Sequence, residues 1–434
     1  MNSKMNFIQE LNWRGLISDK TPRLNHLISK EKISGYTGFD PTSQSLHIGS
    51  LIPIIGLIHL QRTGHQPIAL IGGGTGMIGD PSGKSKERNI LSRDIIKDNI
   101  SGIKLQLEQF LDFKSKTNPA LIIDNYDWLS NIDLIYFLRN TGKHFTINYM
   151  LKKESVKSRI SREDGISFTE FSYMILQAYD YLHLYDKFGC KLQLGGSDQW
   201  GNILSGVDLI NKLYKRDLNN SEPLAHGLTY PLITNSSGEK FGKSEVEAPT
   251  LDPNQTSAYK LYQFFFNVND KDVIQYLKYF TLLDQNEIEN YKISLEESPK
   301  KRESQIKLAE QITIMIHSNS GLEEAKKITK ALFEGKFSKL SLKELKDALE
   351  GAPSTKINRN KFNSSYSIQD LCVEQGICSS FSETKRLIKQ GALYINESKV
   401  EDFKEELNES HTIKGELIIV KRGSKNFHVV EIEN

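Results

Sequence analysis

The sequence predicts a mixed α/β protein: a parallel-sheet domain first, an α-helical domain next and a small α+β domain last. Three observations carry this. Short apolar runs alternate with helical patterns from about residue 32 to 227, as in βαβ units. Beyond Pro253 the periodicity stays helical to about Leu349, without a convincing strand. After a polar stretch, short apolar strands return near the C-terminus. The 434 residues also exceed the roughly 250–300 that one core sustains, so several cores are expected.

The expected strands are 33–36, 67–72, 120–124 and 192–195, and three of the four run into Gly- or Asp-rich segments. Ligands of parallel sheets bind beyond the carboxyl ends of the strands, so those segments are the candidates for chemistry. The longest apolar run, 51–60, contains Pro53, Gly56 and His59 and reads as a buried helix. It falls short of the roughly 18 apolar residues of a membrane span. The expected segments are 1–235 for the sheet domain, 236–350 for a cationic loop and the helical domain, 351–365 for a flexible polar linker around Pro353, and 366–434 for the α+β domain. In the last, 382–391 reads as a basic amphipathic helix, and 393–396 and 416–420 as strands.

Composition excludes little. The net charge of +2 permits a polyanionic partner without requiring one, so any such contact rests on local clustering. Cys190, Cys372 and Cys378 suit neither a disulfide framework nor a four-ligand zinc site and read as small buried side chains; no protein metal site is expected. Glu10 and Asp19 stand among the basic residues of an N-terminus without an apolar signal core, so a cytoplasmic location is expected.

Five segments carry candidate chemistry. Tyr36 to Thr42, followed by His47-Ile48-Gly49-Ser50 and the apolar run, describes a strand, a turn and a helix N-terminus, where backbone N–H groups and His47 suit phosphate oxygens and Gly49 admits a flat ring. The bland alternative is a capped helix with a surface histidine. The run from Gly72 to Ser85 matches the dinucleotide-binding expression at Gly74, Gly76 and Gly79, but Asp80-Pro81-Ser82-Gly83 is turn chemistry where that motif continues as a helix. A phosphate loop ending in Gly83-Lys84-Ser85 needs a glycine where Ile78 stands. What remains is close ligand approach along the glycines, Asp80 suited to an ammonium, and Lys84 and Arg88 suited to phosphate.

Ser167-Phe168-Thr169-Glu170 is a capping-box pattern that sets a helical register. Tyr173, Gln177 and Asp180 then share one face among apolar neighbours, a stripe that is either solvated or wants a polar partner. Gly195 to Asn202 again places glycines and an acid after a strand, suited to ribose hydroxyls. Lys240-Phe241-Gly242-Lys243-Ser244 follows a Gly238 turn and suits a polyphosphate, although alone it reads as a solvated charge cluster.

Together these segments resemble the class I aminoacyl-tRNA synthetases, and in particular their tyrosyl branch. His47-Ile48-Gly49-Ser50 is similar to the His-x-Gly-His signature, with Ser50 in place of the second histidine, and Lys240 to Ser244 is similar to the Lys-Met-Ser-Lys-Ser loop. The resemblance spans nearly the whole chain and implies a Rossmann-like catalytic domain with a dimerisation insertion, a helical anticodon-arm domain and a small RNA-binding module. It implies ligation of L-tyrosine to tRNA(Tyr) through a tyrosyl-adenylate, with ATP accompanied by Mg2+ as substrate and a homodimer as the assembly.

By the same resemblance, Tyr36 and Asp180 bind the phenolic hydroxyl; Tyr173, Gln177 and Asp80 hold the ammonium; and Gln199 lies near the carboxylate. ATP rests against Gly38, Asp40, His47, Gly49, Ser50, Gly196, Asp198 and Lys243, and pyrophosphate leaves among Thr42, His47, Lys84, Arg88, Lys240, Lys243 and Ser244. In the C-terminal module Lys385, Arg386 and Lys389 on a helix, with Lys421, Arg422 and Lys425 after a strand, supply the RNA face; a solvated helix is the alternative. Two rivals are a chain that binds RNA after losing its chemistry, against which the retained His47, Asp80 and loop lysines argue, and a tryptophanyl enzyme, whose indole suits Tyr36 and Asp180 less well than a phenol.

Overall fold

The computed structural model describes residues 5–82, 91–161, 165–214, 222–238, 241, 248–363, 365–423 and 426–433. The chain forms two compact units, Met1–Thr256 with Phe264–Ile316, and Ser257–Gln263 with His317–Asn434.

The first unit holds a six-stranded sheet of β1 (Asp19–Lys20), β2 (Ser34–Phe39), β3 (Gln66–Ile71), β4 (Leu121–Asp124), β5 (Cys190–Gly196) and β6 (His226–Tyr230), in the order β1-β6-β5-β2-β3-β4. The five from β6 to β4 are parallel and β1 joins the edge antiparallel. The four expected strands are present within a residue or three of their expected ends. The sequence reading missed β6, because His226 and Thr229 interrupt its apolar run. Both are buried yet bonded: His226 Nδ1 meets Thr21 Oγ1 at 3.0 Å, and Thr229 Oγ1 accepts the Asp19 N–H at 3.1 Å. A buried polar group with a partner costs little, so the pattern can break without losing the strand.

The apolar run forms the helix Leu51–Arg62, whose residues from Leu51 to Leu60 are buried but for Pro53, and which packs on β2, β3 and β5. Pro53 lies in its first turn, where no intrahelical N–H bond is lost. On the sheet, Tyr36, Ile68 and Leu70 share a core with Ala178 and Tyr181 of the helix Phe168–Phe188 and with Val207 and Ile210 of the helix Trp200–Tyr214. Ser167 caps Phe168–Phe188 by accepting the Glu170 N–H at 3.2 Å. The Glu170 carboxylate is taken up by buried Arg159, which donates to both oxygens at 3.0 and 2.9 Å.

The second unit contains a sheet of β7 (Ser354–Asn358), β8 (Leu393–Ile395), β9 (Ser398–Lys399), β10 (Leu417–Arg422) and β11 (Asn426–Glu433), ordered β7-β11-β10-β8-β9. Along β10, Leu417 and Ile419 pack with Ile328, Phe337 and Leu345, whereas Ile418 and Val420 pack with Leu371, Ile388 and Leu393. Alternate residues thus serve two cores.

Two boundaries differ from expectation. The segment 351–365 is not a free linker: Ser354–Asn358 pairs in parallel with β11, and Ile357 is 4% exposed. An edge strand with one buried side chain has too little apolar content to be recognised. Nor does 236–350 form a body of its own, since 264–316 belongs with the first sheet and 317–350 with the second. The long helix Glu303–Glu334 breaks at Ser318, which has φ 64°, beside that division. Helical periodicity reports which faces are apolar, not which sheet covers them.

Candidate active site

The chain builds β3 and β4 to one side of β2 and β5 and β6 to the other, so β2 and β5 flank a switch point with a crevice beyond their carboxyl ends. Asp40 follows β2, Gly72 follows β3 and Gly196 ends β5. Gly72 is required sterically: a Cβ there would overlap the Asp40 carboxylate.

At the deep end, Tyr36 is 1% exposed and its hydroxyl has no partner among the described residues. Asp180 is equally buried. Its two oxygens accept from Asn125 Nδ2 and Trp128 Nε1, each at 2.8 Å, and Trp128 stacks on His183 with centroids 4.2 Å apart. Burial drives the Asp180 carboxyl up to about 8, while these two donors pull it back. Burial also raises the Tyr36 phenol, and the Asp180 charge adds the next largest push. Asn125 and Trp128 were absent from the sequence reading. The sole hint was their position just after the strand 120–124.

A second polar group lies at the centre of the crevice. The Tyr173 hydroxyl donates to Asp40 Oδ2 at 2.8 Å, Thr75 Oγ1 donates to Asp40 Oδ1 at 2.9 Å, and Asn125 Nδ2 reaches Thr75 Oγ1 at 3.0 Å. Asp40, expected against the nucleotide, is thus bonded to Tyr173 and Thr75. Asp80 accepts from Gln199 Nε2 at 2.6 Å and from the Ser82 N–H at 2.9 Å. Asn202 Nδ2 donates to Gln177 Oε1 at 3.0 Å and Gln199 Oε1 at 3.2 Å. Burial first, with the Asp40 charge adding, pushes the Asp80 carboxyl up to about 6. Asp40, Asp80 and Asp180 all raise the Tyr173 phenol after its burial. Three carboxylates share a small volume, and a bound cation would relieve their repulsion.

The third group is open. His47 is exposed and accepts the Gly49 N–H on Nδ1 at 2.9 Å, which makes Nε2 the protonated nitrogen of the neutral ring. A Cβ on Gly49 would come within 2.6 Å of that imidazole, so the flat ring the glycine admits here is His47 itself. The Ile48 N–H donates to Pro249 O at 2.9 Å and the Leu251 N–H to Leu46 O at 2.7 Å, tying the His47 segment to residues just beyond the Lys240–Ser244 signature. Ser50 makes no side-chain capping bond to the helix it precedes. Thr42 and Asp198 are exposed, and a Cβ at Gly38 would meet no atom within 4 Å. Gly196 lies against Asp198, whose Oδ1 would be 2.6 Å from a Cβ. Lys84, Arg88, Lys240, Lys243, Ser244 and Lys425 lie outside the described residues. The dinucleotide alternative fails: after the turn Thr75–Met77, the next helix among the described residues is Arg93–Phe110.

In the second unit, Lys385, Arg386 and Lys389 are exposed on the helix Phe381–Lys389. Lys385 Nζ lies 4.3 Å from the Phe403 ring centroid, and Lys421 Nζ lies 5.7 Å from those of Tyr394 and Phe427. Arg422 is engaged internally, donating to Ile377 O at 2.9 Å beside Glu383 at 3.7 Å. Its charge is partly spent within the domain.

Residues 29–334 match the family model of class I tRNA synthetases (W and Y), and residues 344–430 match that of the tyrosine–tRNA ligase SYY-like C-terminal domain. The chain is 45% identical to the tyrosine–tRNA ligase of Roseiflexus castenholzii over 426 residues, covering 98% of this chain and 99% of that one. It is 45% identical to tyrosine–tRNA ligase 1 of Bacillus subtilis over 427 residues, 98% of this chain and 99% of that one. Among solved structures, a C-terminally truncated mitochondrial tyrosyl-tRNA synthetase of Aspergillus nidulans is similar with a TM-score of 0.69 and 32% identity, over 76% of this chain and 95% of that one. The buried Tyr36 and Asp180, the acidic centre and the exposed His47 therefore occur in a chain that follows one family over nearly its full length, and the chain belongs to the tyrosine–tRNA ligases of the class I aminoacyl-tRNA synthetases.

Proposed function

We propose that the chain activates L-tyrosine with ATP, forming tyrosyl-adenylate and pyrophosphate, and then transfers the tyrosyl group to the 3′ end of tRNA(Tyr). The observation that carries the pocket assignment is the buried Tyr36 hydroxyl, which has no partner among the described residues, together with an Asp180 carboxylate whose two oxygens are already held in place. A substrate phenol would donate to Asp180 and accept from Tyr36. An indole N–H can donate but cannot accept.

The ammonium is assigned to Asp80, Tyr173 and Gln177, where the crowded carboxylates favour a cation, and Gln199 to the carboxylate end. One carboxylate oxygen of tyrosine attacks the α-phosphorus, the bond to the β-phosphate bridging oxygen breaks, and pyrophosphate departs. His47 Nε2–H, Thr42, Lys84, Arg88, Lys240, Lys243 and Ser244 are assigned to the charge that builds on the leaving group, and Gly38, Gly196 and Asp198 to the nucleoside. A terminal tRNA hydroxyl then attacks the tyrosyl carbonyl and AMP leaves. Mg2+ is assigned to the ATP phosphates, and no step is routed through it.

A homodimer is proposed through the first unit. Leu134, Ile135, Tyr136, Ile147 and Phe168 are exposed there, Phe168 by 81%, an apolar surface suited to a second copy. Lys385, Arg386, Lys389 and Lys421 are assigned to tRNA phosphates. No helix of the described residues is long and apolar enough to cross a membrane; a cytoplasmic location is the proposed one. The test is ATP–pyrophosphate exchange by the purified protein with each of the twenty amino acids. Exchange with tyrosine alone is expected; exchange with tryptophan, or none, would overturn the reading.

A further inference from the structure

The helix Arg93–Phe110 carries no candidate chemistry in its sequence, yet three of its positions are spent on one loop. Asn99 and Gln106 are buried, each at 4% exposure, and with Gly102 they fall at i, i+7 and i+3, on one face of the helix. That face meets the loop 40–46, which leads from β2 to His47. Asn99 Nδ2 donates to Pro41 O at 2.9 Å. A Cβ on Gly102 would stand 2.3 Å from Gln44 O, so the missing side chain is what lets the loop lie against the helix. Gln106 Oε1 accepts the Leu46 N–H at 2.9 Å, and its Nε2 donates to Ser45 Oγ at 3.3 Å and to Gln44 O at 3.4 Å.

A buried amide side chain is costly unless it is bonded, and these bonds all go to the three residues that precede His47. Leu46 is held through both of its backbone groups, because its carbonyl accepts the Leu251 N–H at 2.7 Å while its N–H is taken by Gln106. On the other side of His47, the Ile48 N–H donates to Pro249 O at 2.9 Å. The main chain flanking His47 is therefore fixed from two directions. The ring itself is oriented by the Gly49 N–H on Nδ1. An exposed side chain ordinarily visits several rotamers, so a donor at an open edge is preorganised only when its backbone and one end of its ring are held.

We infer that Gln106 is a positioning residue for His47: by holding the Leu46 N–H from the helix Arg93–Phe110 it fixes the direction from which His47 Nε2–H meets the departing pyrophosphate. This rests on the proposed adenylate-forming activity and on the part given to His47 in it. The bonds of Gln106 run to residues 44–46, not to Tyr36, Asp80, Tyr173 or Asp180. What it controls is the step in which charge develops on the leaving group, not the affinity for tyrosine.

The test compares full-length wild type with Gln106→Met, Gly102→Ala, His47→Ala and the double variant that combines His47→Ala with Gln106→Met. Adenylate formation is measured by single turnover, the tyrosine Kd by equilibrium dialysis, and calorimetry establishes that each protein is folded. Gln106→Met keeps the length of the side chain and removes both its acceptor and its donor. It is expected to slow adenylate formation by about tenfold, for a displacement smaller than the roughly 1 Å that costs about 100-fold, with the tyrosine Kd changed less than about twofold. Gly102→Ala pushes on the same loop and should slow the same step, again at unchanged tyrosine Kd. In the His47→Ala background Gln106→Met should add less than about twofold, because the group it positions is gone. A purely structural role would instead give the same loss in both backgrounds, and that result would overturn the inference. So would wild-type rates in Gln106→Met, or rate and tyrosine affinity falling together. If Gln106→Met does not fold, Gly102→Ala decides, and an unchanged rate there counts against Gln106. A wild-type protein that binds tyrosine but forms no adenylate would sink the functional reading, and this inference with it.

Discussion

The two ends of the crevice are built differently. At the end proposed for the phenol, Tyr36 and Asp180 are each 1% exposed, and Asn125 and Trp128 donate to the carboxylate. At the end proposed for the nucleotide, His47, Thr42 and Asp198 are exposed, and a Cβ at Gly38 would meet no atom of the described residues within 4 Å. The difference teaches where each property resides. Rejecting a ligand that lacks one hydroxyl requires a site where a group left unpaired is costly, and only burial makes it so. Neutralising a leaving group requires donors that meet charge as it forms, and these can work from an open edge.

Four measurements break or sharpen this contrast. The largest effect is expected at the open end. Replacing His47 by Ala should slow adenylate formation by about 100-fold or more while the tyrosine Kd stays within about twofold, because the side chain is assigned to the transition state. An unchanged single-turnover rate would remove His47 from the chemistry. Next, Tyr36→Phe should reduce the preference for tyrosine over phenylalanine by about tenfold, the cost of one buried hydrogen bond, measured as the ratio of kcat/KM values in exchange. If that ratio holds, the phenol is read elsewhere.

The third concerns pH. Burial raises the Asp80 carboxyl to about 6, and an ammonium favours its ionised form, so tyrosine binding must displace a proton below that pH. Tyrosine affinity should fall by up to about tenfold per pH unit below about 6. The sign for the free protein is opposite. A carboxyl raised on folding contributes stability below its unfolded value that is lost as pH rises to about 6. Bound tyrosine should therefore raise the unfolding temperature more at pH 7.5 than at pH 5, on the order of a few degrees. A flat binding profile would show that Asp80 does not meet the ammonium. The smallest effect on activation is expected from the second unit: Lys385→Ala with Arg386→Ala should leave exchange unchanged and raise the KM for tRNA several-fold, more at low salt. A charging reaction indifferent to both would move the RNA surface elsewhere.

The strands that end in glycine turns and the capped helix that carries Tyr173, Gln177 and Asp180 were readable because each depends on local pattern: a strand, a turn with glycines, a capped helix with fixed register. Asn125, Trp128 and Thr75 were not. Each is an ordinary residue in its own segment and acquires a role only when β3 and β4 lie side by side and the helix Phe168–Phe188 brings Asp180 to their ends. Phe241 illustrates the same limit. In sequence it is one position inside a cationic motif, whereas in space it meets rings from two later helices.

From the sequence alone came the alternation of strands and helices, the order of the motifs and the chemical type of each candidate group, because short-range periodicity and residue chemistry specify them. Tertiary structure decided that 354–358 joins a sheet, that the helical region is shared between two units and that Asp40 faces Tyr173. Those outcomes depend on which distant segments become neighbours, and that is settled by packing of whole faces, a quantity no local window contains.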